Sequence, residues 1–196
     1  MQKAILNLFT ENKQLPFSRI EKKLKVRSNK LAYHLKQLQE KDILAKKGET
    51  YELKEEAEEL IPYLSSETAP LPVILIHLGN QKEAFLHTRT KRPYQNKLAL
   101  PGGRILKGES IQQATKRIMK DKHQTDAKLT KTHSVSLEHI GGKYSFILIL
   151  VSAATKNPIE LSNIQESKSK MIQSDYKVIT TQLKNEIEIP TILSRD

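Results

Sequence analysis

The sequence predicts two domains: a mainly α domain carrying a small β-hairpin, then an α/β domain with a mixed sheet sandwiched by helices. Three observations predict this. Apolar residues recur at helical spacing through most of residues 1–64. A turn-rich stretch with two prolines, SSETAPLP, covers residues 65–72 and reads as a linker. Strand-like apolar runs follow at Val73–Leu78, Ala84–Thr88 and Tyr144–Val151, placing the second domain at residues 73–196.

The chain has 196 residues, 37% hydrophobic and 5% aromatic with no Trp, so its cores are mostly aliphatic. A net charge of +11 favours polyanionic partners through counterion release. The competing explanation is a surface merely decorated with lysine, and charge placement has to decide between them. With no Cys, disulfides, thiolate zinc sites and cysteine nucleophiles are excluded, which fits a reducing cytosol. The six His are scattered, and no pair has zinc-site spacing. The N-terminal apolar run, Ala4–Phe9, is too short for a signal peptide. The longest run, Phe146–Ala154, is too short for a membrane span. A cytoplasmic protein without a membrane partner is expected.

In the first half, Ala4, Ile5, Leu8 and Phe9 make a short helix. Ser18 is a candidate N-cap for a second, with Ile20 and Leu24 inward. Ser28 is the candidate N-cap of the helix SNKLAYHLKQLQEKDIL, whose Leu31, Leu35 and Leu38 form a core-facing stripe. The opposite side carries Asn29, Lys30, Tyr33, His34, Lys36 and Gln37, side chains suited to phosphates and base edges. Ile43–Lys47 and Thr50–Leu53 then pair as a hairpin around Gly48-Glu49, and a further helix runs from Lys54 to Leu64.

This order resembles the winged helix-turn-helix domains of bacterial and archaeal transcription regulators, over residues 1–64. The resemblance implies a DNA-binding set of Ser28, Asn29, Lys30, Tyr33, His34, Lys36 and Gln37, with Lys46 and Lys47 from the wing. Charge placement agrees. Eleven basic residues lie between Lys13 and Lys47 against Glu21, Glu40 and Asp42, while Glu55, Glu56, Glu58 and Glu59 gather on the last helix. The alternative is a winged helix that makes only protein contacts.

In the second half the informative stretch is LPGGRILKGES, Leu100–Ser110, ahead of a helix expected over Ile111–Thr125. It resembles the opening of a Nudix box, G-x5-E-x7-R-E-U-x-E-E-x-G-U, where U is a bulky apolar residue. Gly103, Glu109 and Arg117 stand at the matching positions, preceded by Pro101-Gly102 and accompanied by Ala114. Upstream, FLHTRTKRPYQNKLALPGG has the shape of the strand and loop leading into such a box, and the resemblance spans residues 71–155. It implies the α/β Nudix fold.

The departures fall where the chemistry would be. The glutamates expected after Arg117 are replaced by Ile118, Asp121 and Lys122, and the closing glycine by Gln124. Positions 118, 121 and 122 would share one helical face toward a metal. Hard divalent cations need several carboxylate oxygens, and this face offers an alkyl group, one short carboxylate and an ammonium. Of the residual box (Gly103, Glu109, Arg117 and Asp121), no residue is expected to be catalytic, and no metal or cofactor is expected. Arg89, Arg92, Gly102, Gly103, Arg104, Lys107 and Lys122 instead form the candidate ligand-binding set, with Lys91 nearby. There, basic side chains and a helix N-terminus near Ser110 would neutralise a diphosphate directly.

The resemblances together imply a DNA-binding transcriptional regulator whose degenerate Nudix-like domain senses a phosphorylated metabolite such as ADP-ribose or a related nucleotide, acting as a homodimer on DNA. In known regulators joining these parts the Nudix-like domain comes first; here the order is reversed, which leaves effector and target genes open. The alternative is a Nudix hydrolase of nucleoside-diphosphate-linked substrates with an accessory winged helix. It would use Mg2+ with Glu109, Asp121 and a carboxylate such as Glu138, Glu160 or Glu166. A third reading is an adaptor that binds only proteins. Beyond residue 155, Ser162–Asp175 reads as a surface loop or short helix, and Tyr176–Thr180 with Ile187–Leu193 as a completion of the sheet plus a terminal helix.

Overall fold

The structure, a computed structural model, describes residues 1–64, 69–192 and 194. The chain divides into two compact units, Met1–Thr68 and Ala69–Asp196. Of the expected linker, residues 65–68 lie outside the described residues, and Leu71-Pro72 already belong to the first strand of the second unit. Among the described residues no helix is long and apolar enough to cross a membrane.

The first unit runs α1 (Gln2–Asn7), a 3-10 turn (Leu8–Thr10), β1 (Gln14–Pro16), α2 (Phe17–Leu24), α3 (Ser28–Glu40), β2 (Leu44–Lys47), β3 (Thr50–Leu53) and a 3-10 helix (Glu55–Tyr63). Its strands form an antiparallel sheet ordered β1-β3-β2, with Leu15 opposite Tyr51 and Leu44 opposite Leu53. The leucine stripe of α3, Leu31, Leu35 and Leu38, is buried with Ile5, Phe9, Leu15, Ile20 and Leu44 in one aliphatic core. Three details differ from the sequence expectation. Pro16 and Arg27, not Ser18 and Ser28, occupy the N-cap positions of α2 and α3. Ser28 sits in the first turn and donates to Glu21. The last helix, Glu55–Tyr63, is 3-10 and not α, with Pro62 inside it.

The second unit is built on a mixed four-stranded sheet. Its elements are β4 (Leu71–His77), β5 (Glu83–Ala84), β6 (His87–Thr88), β7 (Leu98–Ala99), β8 (Gly102–Arg104), α4 (Ile111–His123), β9 (Ala127–Ile140), β10 (Tyr144–Thr155), β11 (Ser162–Asn163), α5 (Ile164–Ser167) and α6 (Gln173–Gln182). The sheet order is β8-β4-β10-β9, with β4 and β10 parallel and the other neighbours antiparallel. Alternation along the strands divides the core. Ile74, Ile76, Ile149 and Val151 face Ala114, Ile118 and Met119 of α4. Leu75, Leu148 and Leu150 face Val178 and Ile179 of α6. Helices thus cover both faces.

Here too the sequence expectation needs correcting. The run Ala84–Thr88 splits into two short strands, and β9, the longest strand, has no counterpart among the expected runs. Tyr176–Thr180 lies in α6 instead of a strand. Ile187–Ile192 forms no regular element, although the Ile187 amide donates to Thr132 O at 3.0 Å, and Leu193 lies outside the described residues.

Candidate functional site

The loop-helix stretch Leu100–His123 is held by three local devices. First, Ser110 caps α4 and forms a reciprocal capping box with Gln113. Second, Gly102 and Gly103 are required by close approach in a strand, not by a turn. A Cβ on Gly102 would lie 2.8 Å from Ile74 O, and one on Gly103 would lie 3.0 Å from both Ile118 Cγ1 and Lys122 Nζ. Third, Arg117 grips Glu109 through both carboxylate oxygens, with Nη2 to Oε2 at 2.7 Å, and also donates to Arg104 O at 2.9 Å. The Leu106 amide adds a bond to Glu109 Oε2 at 2.9 Å. The Arg117 bond holds the Glu109 carboxyl below its usual pKa. Glu109 and Arg117 clamp the loop onto the helix.

The three positions expected to share a metal-facing side of α4 do not. Ile118 is fully buried beneath Gly103 in the core. Asp121 is exposed, and Lys122 bends to the loop, where Nζ donates to Gly102 O at 2.5 Å. A backbone carbonyl is the kind of oxygen a hard cation would take, and an ammonium holds it. With the Glu109 oxygens engaged and position 118 apolar, the residues present do not fit a divalent metal. Among the described residues no group of three or more His, Asp or Glu is arranged to hold one.

Around this loop opens a cleft of about 570 Å3. The structure brings Arg89, Lys91, Arg92, Arg104, Arg117 and Lys122 to its wall, together with Gly102 and Gly103. Lys107 is exposed and does not line it. Burial first, and then Arg89, Arg117, Lys91 and Arg104, push the Lys122 pKa down. Such mutual repulsion among cations is relieved by an anion. Behind Lys122, the His87 and His123 rings meet edge-to-face at 4.8 Å, and burial, with His87 and Lys122 adding, pushes His123 down to about 4.

The rest of the cleft was not singled out in the sequence. Glu138 accepts from Tyr94 Oη at 3.0 Å, and Tyr94 is pushed up to about 12 by burial and then by Glu138. Asp175 is 4% exposed and accepts the Leu100 amide at 2.9 Å through Oδ2. Burial pushes its carboxyl up to about 7; Leu100 and Arg89 pull down, Glu138 pushes up. Ser174 Oγ is buried with no hydrogen-bond partner. Tyr144 and Phe146 stack nearly parallel, 6° apart at 6.4 Å, along the same wall. Glu160 and Glu166 are exposed and do not line it.

In the first unit, Ser28, Asn29, Lys30 and Tyr33 stand exposed on α3. Lys36 and Gln37 both engage Glu40, at 3.8 and 2.8 Å. His34 is half-buried with its Nδ1 enclosed and unpartnered, so that nitrogen is not offered to a surface ligand. Lys46 lies 5.9 Å from the Tyr51 ring centre and Lys47 pairs with Glu52.

No family model matches the sequence, and no curated protein matches it. Solved structures similar to the chain include a Nudix hydrolase from Nitrosomonas europaea, at 18% identity over 58% of this chain and 70% of that one, TM-score 0.46. A MutT protein from Methanosarcina mazei Go1 is 15% identical over 59% of this chain and 94% of that one, TM-score 0.48. Shewanella oneidensis NrtR is 14% identical over 56% and 60%, TM-score 0.43. These likenesses are remote.

Proposed function

We propose that the chain is a DNA-binding transcriptional regulator. Its second unit is a Nudix-like domain without catalytic competence that senses a nucleotide or another diphosphate-containing metabolite. One observation carries the reading: Lys122 Nζ is seated on Gly102 O in a cleft walled by five further cations, Arg89, Lys91, Arg92, Arg104 and Arg117. A site so charged holds phosphates directly, without a bridging metal. The clamp between Glu109 and Arg117 preserves the loop's shape while removing the carboxylate that a metal would need.

The first unit is proposed as a winged helix, with α3 the recognition helix and the β2-β3 hairpin the wing. Exposed Asn29, Lys30 and Tyr33 at the start of α3 support this, because recognition helices read base edges with their N-terminal residues. A homodimer would match a pseudo-palindromic site, and ligand binding would act by favouring one arrangement of the paired heads. The experiment is fluorescence anisotropy with duplexes from the chain's own upstream region, with and without ADP-ribose, at two salt concentrations. Binding that weakens by decades on a fourfold rise in salt, and that shifts with nucleotide, is expected. Salt-insensitive or absent binding to every duplex would overturn it.

A hydrolase reading has one observation in its favour: Glu138 lines the same cleft. It requires Mg2+-dependent turnover of nucleoside-diphosphate-linked substrates that Glu138→Gln abolishes.

A further inference from the structure

The sheet face along the cleft changes character from one row of side chains to the next. Val73 on β4 pairs with Arg104 on β8 and with Leu148 on β10, so these three stand in one row. The next row outward holds Leu71 and Phe146, paired directly, with Glu138 opposite Phe146 on β9. The ladder continues past β8, where the Ile105 amide donates to Pro72 O at 3.4 Å, and this sets Leu106 beside Leu71. Tyr144 lies two residues before Phe146, on the same face, and stacks on it. Leu106, Leu71, Phe146 and Tyr144 thus form one apolar strip across neighbouring strands, and all four line the cleft. The strip is poorly covered: Leu106 is 50% exposed, Leu71 45% and Tyr144 41%. An exposed apolar surface rimmed by polar groups marks a binding surface.

What borders the strip indicates what it binds. One row away, about 7 Å along the strands, stands Arg104, with Arg89, Lys91, Arg117 and Lys122 on the same cleft wall. At the β9 end stands Glu138, which accepts from Tyr94 Oη at 3.0 Å. A carboxylate there disfavours a phosphate, so an anionic head is directed to the cations and its substituent to the strip. Resting on the anion-binding reading above, we propose that the strip holds the hydrocarbon chain of an aliphatic diphosphate ester, such as an isoprenoid diphosphate. The head meets Arg104 and Lys122, and the chain lies over Leu71, Leu106, Phe146 and Tyr144. Of these four side chains only the Tyr144 hydroxyl is polar, so the strip selects by apolar area removed from water and not by hydrogen bonds. A polyol in the same place would give up water without gaining partners.

The test is isothermal titration of the full chain in EDTA with inorganic pyrophosphate, dimethylallyl diphosphate, geranyl diphosphate and ADP. Geranyl diphosphate is expected to bind about tenfold more tightly than pyrophosphate, equivalent to roughly 1.4 kcal/mol, with dimethylallyl diphosphate between them. ADP should fall below geranyl diphosphate. This chain-length series needs no variant. In the double variant Leu71→Ser, Leu106→Ser, which alters exposed side chains, the ratio of geranyl diphosphate to pyrophosphate affinity should fall to about one, with thermal unfolding run alongside to verify the fold. Pyrophosphate binding with no gain from either hydrocarbon chain would overturn the aliphatic site and leave the anion site standing. A gain from ADP equal to that from geranyl diphosphate would overturn the selection for an apolar chain. The wild-type ratio in the folded double variant would overturn the role of Leu71 and Leu106. Failure of pyrophosphate and all three esters to bind would overturn the anion reading and this inference with it.

Discussion

Replacing Asp175 by Asn gives a stability effect whose sign and size follow from the structure. The carboxyl is 4% exposed, and burial lifts its pKa from 3.8 to about 7. Between those values the folded protein holds a proton that the unfolded chain has released. Wild-type stability therefore falls as pH rises through this window and levels off above about pH 7. At about 1.4 kcal/mol per pH unit, the gap caps the loss at about 4 kcal/mol. Asn carries no charge and still offers an oxygen to the Leu100 amide, so its stability lacks this component. Urea melts of both proteins at pH 4.5, 6 and 8 isolate the effect, because every other group titrates in both. The variant should gain on the wild type by a few kcal/mol at most between pH 4.5 and 8. A difference that stays constant across the range, or a wild type that gains on the variant as pH rises, would refute a buried, protonated Asp175.

Other expectations follow from single contacts. Gln124 closes α4 in the left-handed region, φ 51°, where glycine is free of Cβ strain, so Gln124→Gly should stabilise by about 1 kcal/mol in denaturant melts. Arg117→Met strips Glu109 of its clamp and should cost about 1 kcal/mol, with a non-additive double-mutant cycle against Glu109→Gln. Lys122→Ala removes the ammonium at Gly102 O and should weaken pyrophosphate binding about tenfold, less at high salt. Lys30→Ala on the exposed start of α3 should lower the slope of log affinity for DNA against log salt by about one.

How much of this was legible in the sequence depended on the kind of signal each element carries. Spacing placed Leu31, Leu35 and Leu38 on the core face of α3, and the Leu44–Lys47 and Thr50–Leu53 hairpin followed from Gly48. The loop and α4 were legible because Glu109, Ser110, Gln113 and Arg117 are tied by bonds close in sequence. By contrast, β1 is three residues long and exists only because β3 pairs with it across the fold. In β9, register shifts opposite Leu150/Val151 and Ser152/Ala153 break the alternation that reveals a strand, and polar residues occupy many of its positions. Ile118 and Lys122 could be assigned to one helical face, but only tertiary packing sends the first into the core and the second to Gly102. Asp175 was hidden in a polar stretch. Its one signal was helical spacing with Ile172 and Ile179, which puts it on the inward side of α6.

The central claim is that the cleft binds phosphates through its own cations. Calorimetric titration of the full chain with ADP-ribose, first in EDTA and then in excess Mg2+, tests it most directly. The account predicts saturable binding in EDTA, no gain in affinity from Mg2+, and ADP-ribose recovered intact. Binding that appears only with Mg2+, accompanied by release of mononucleotide, would contradict it.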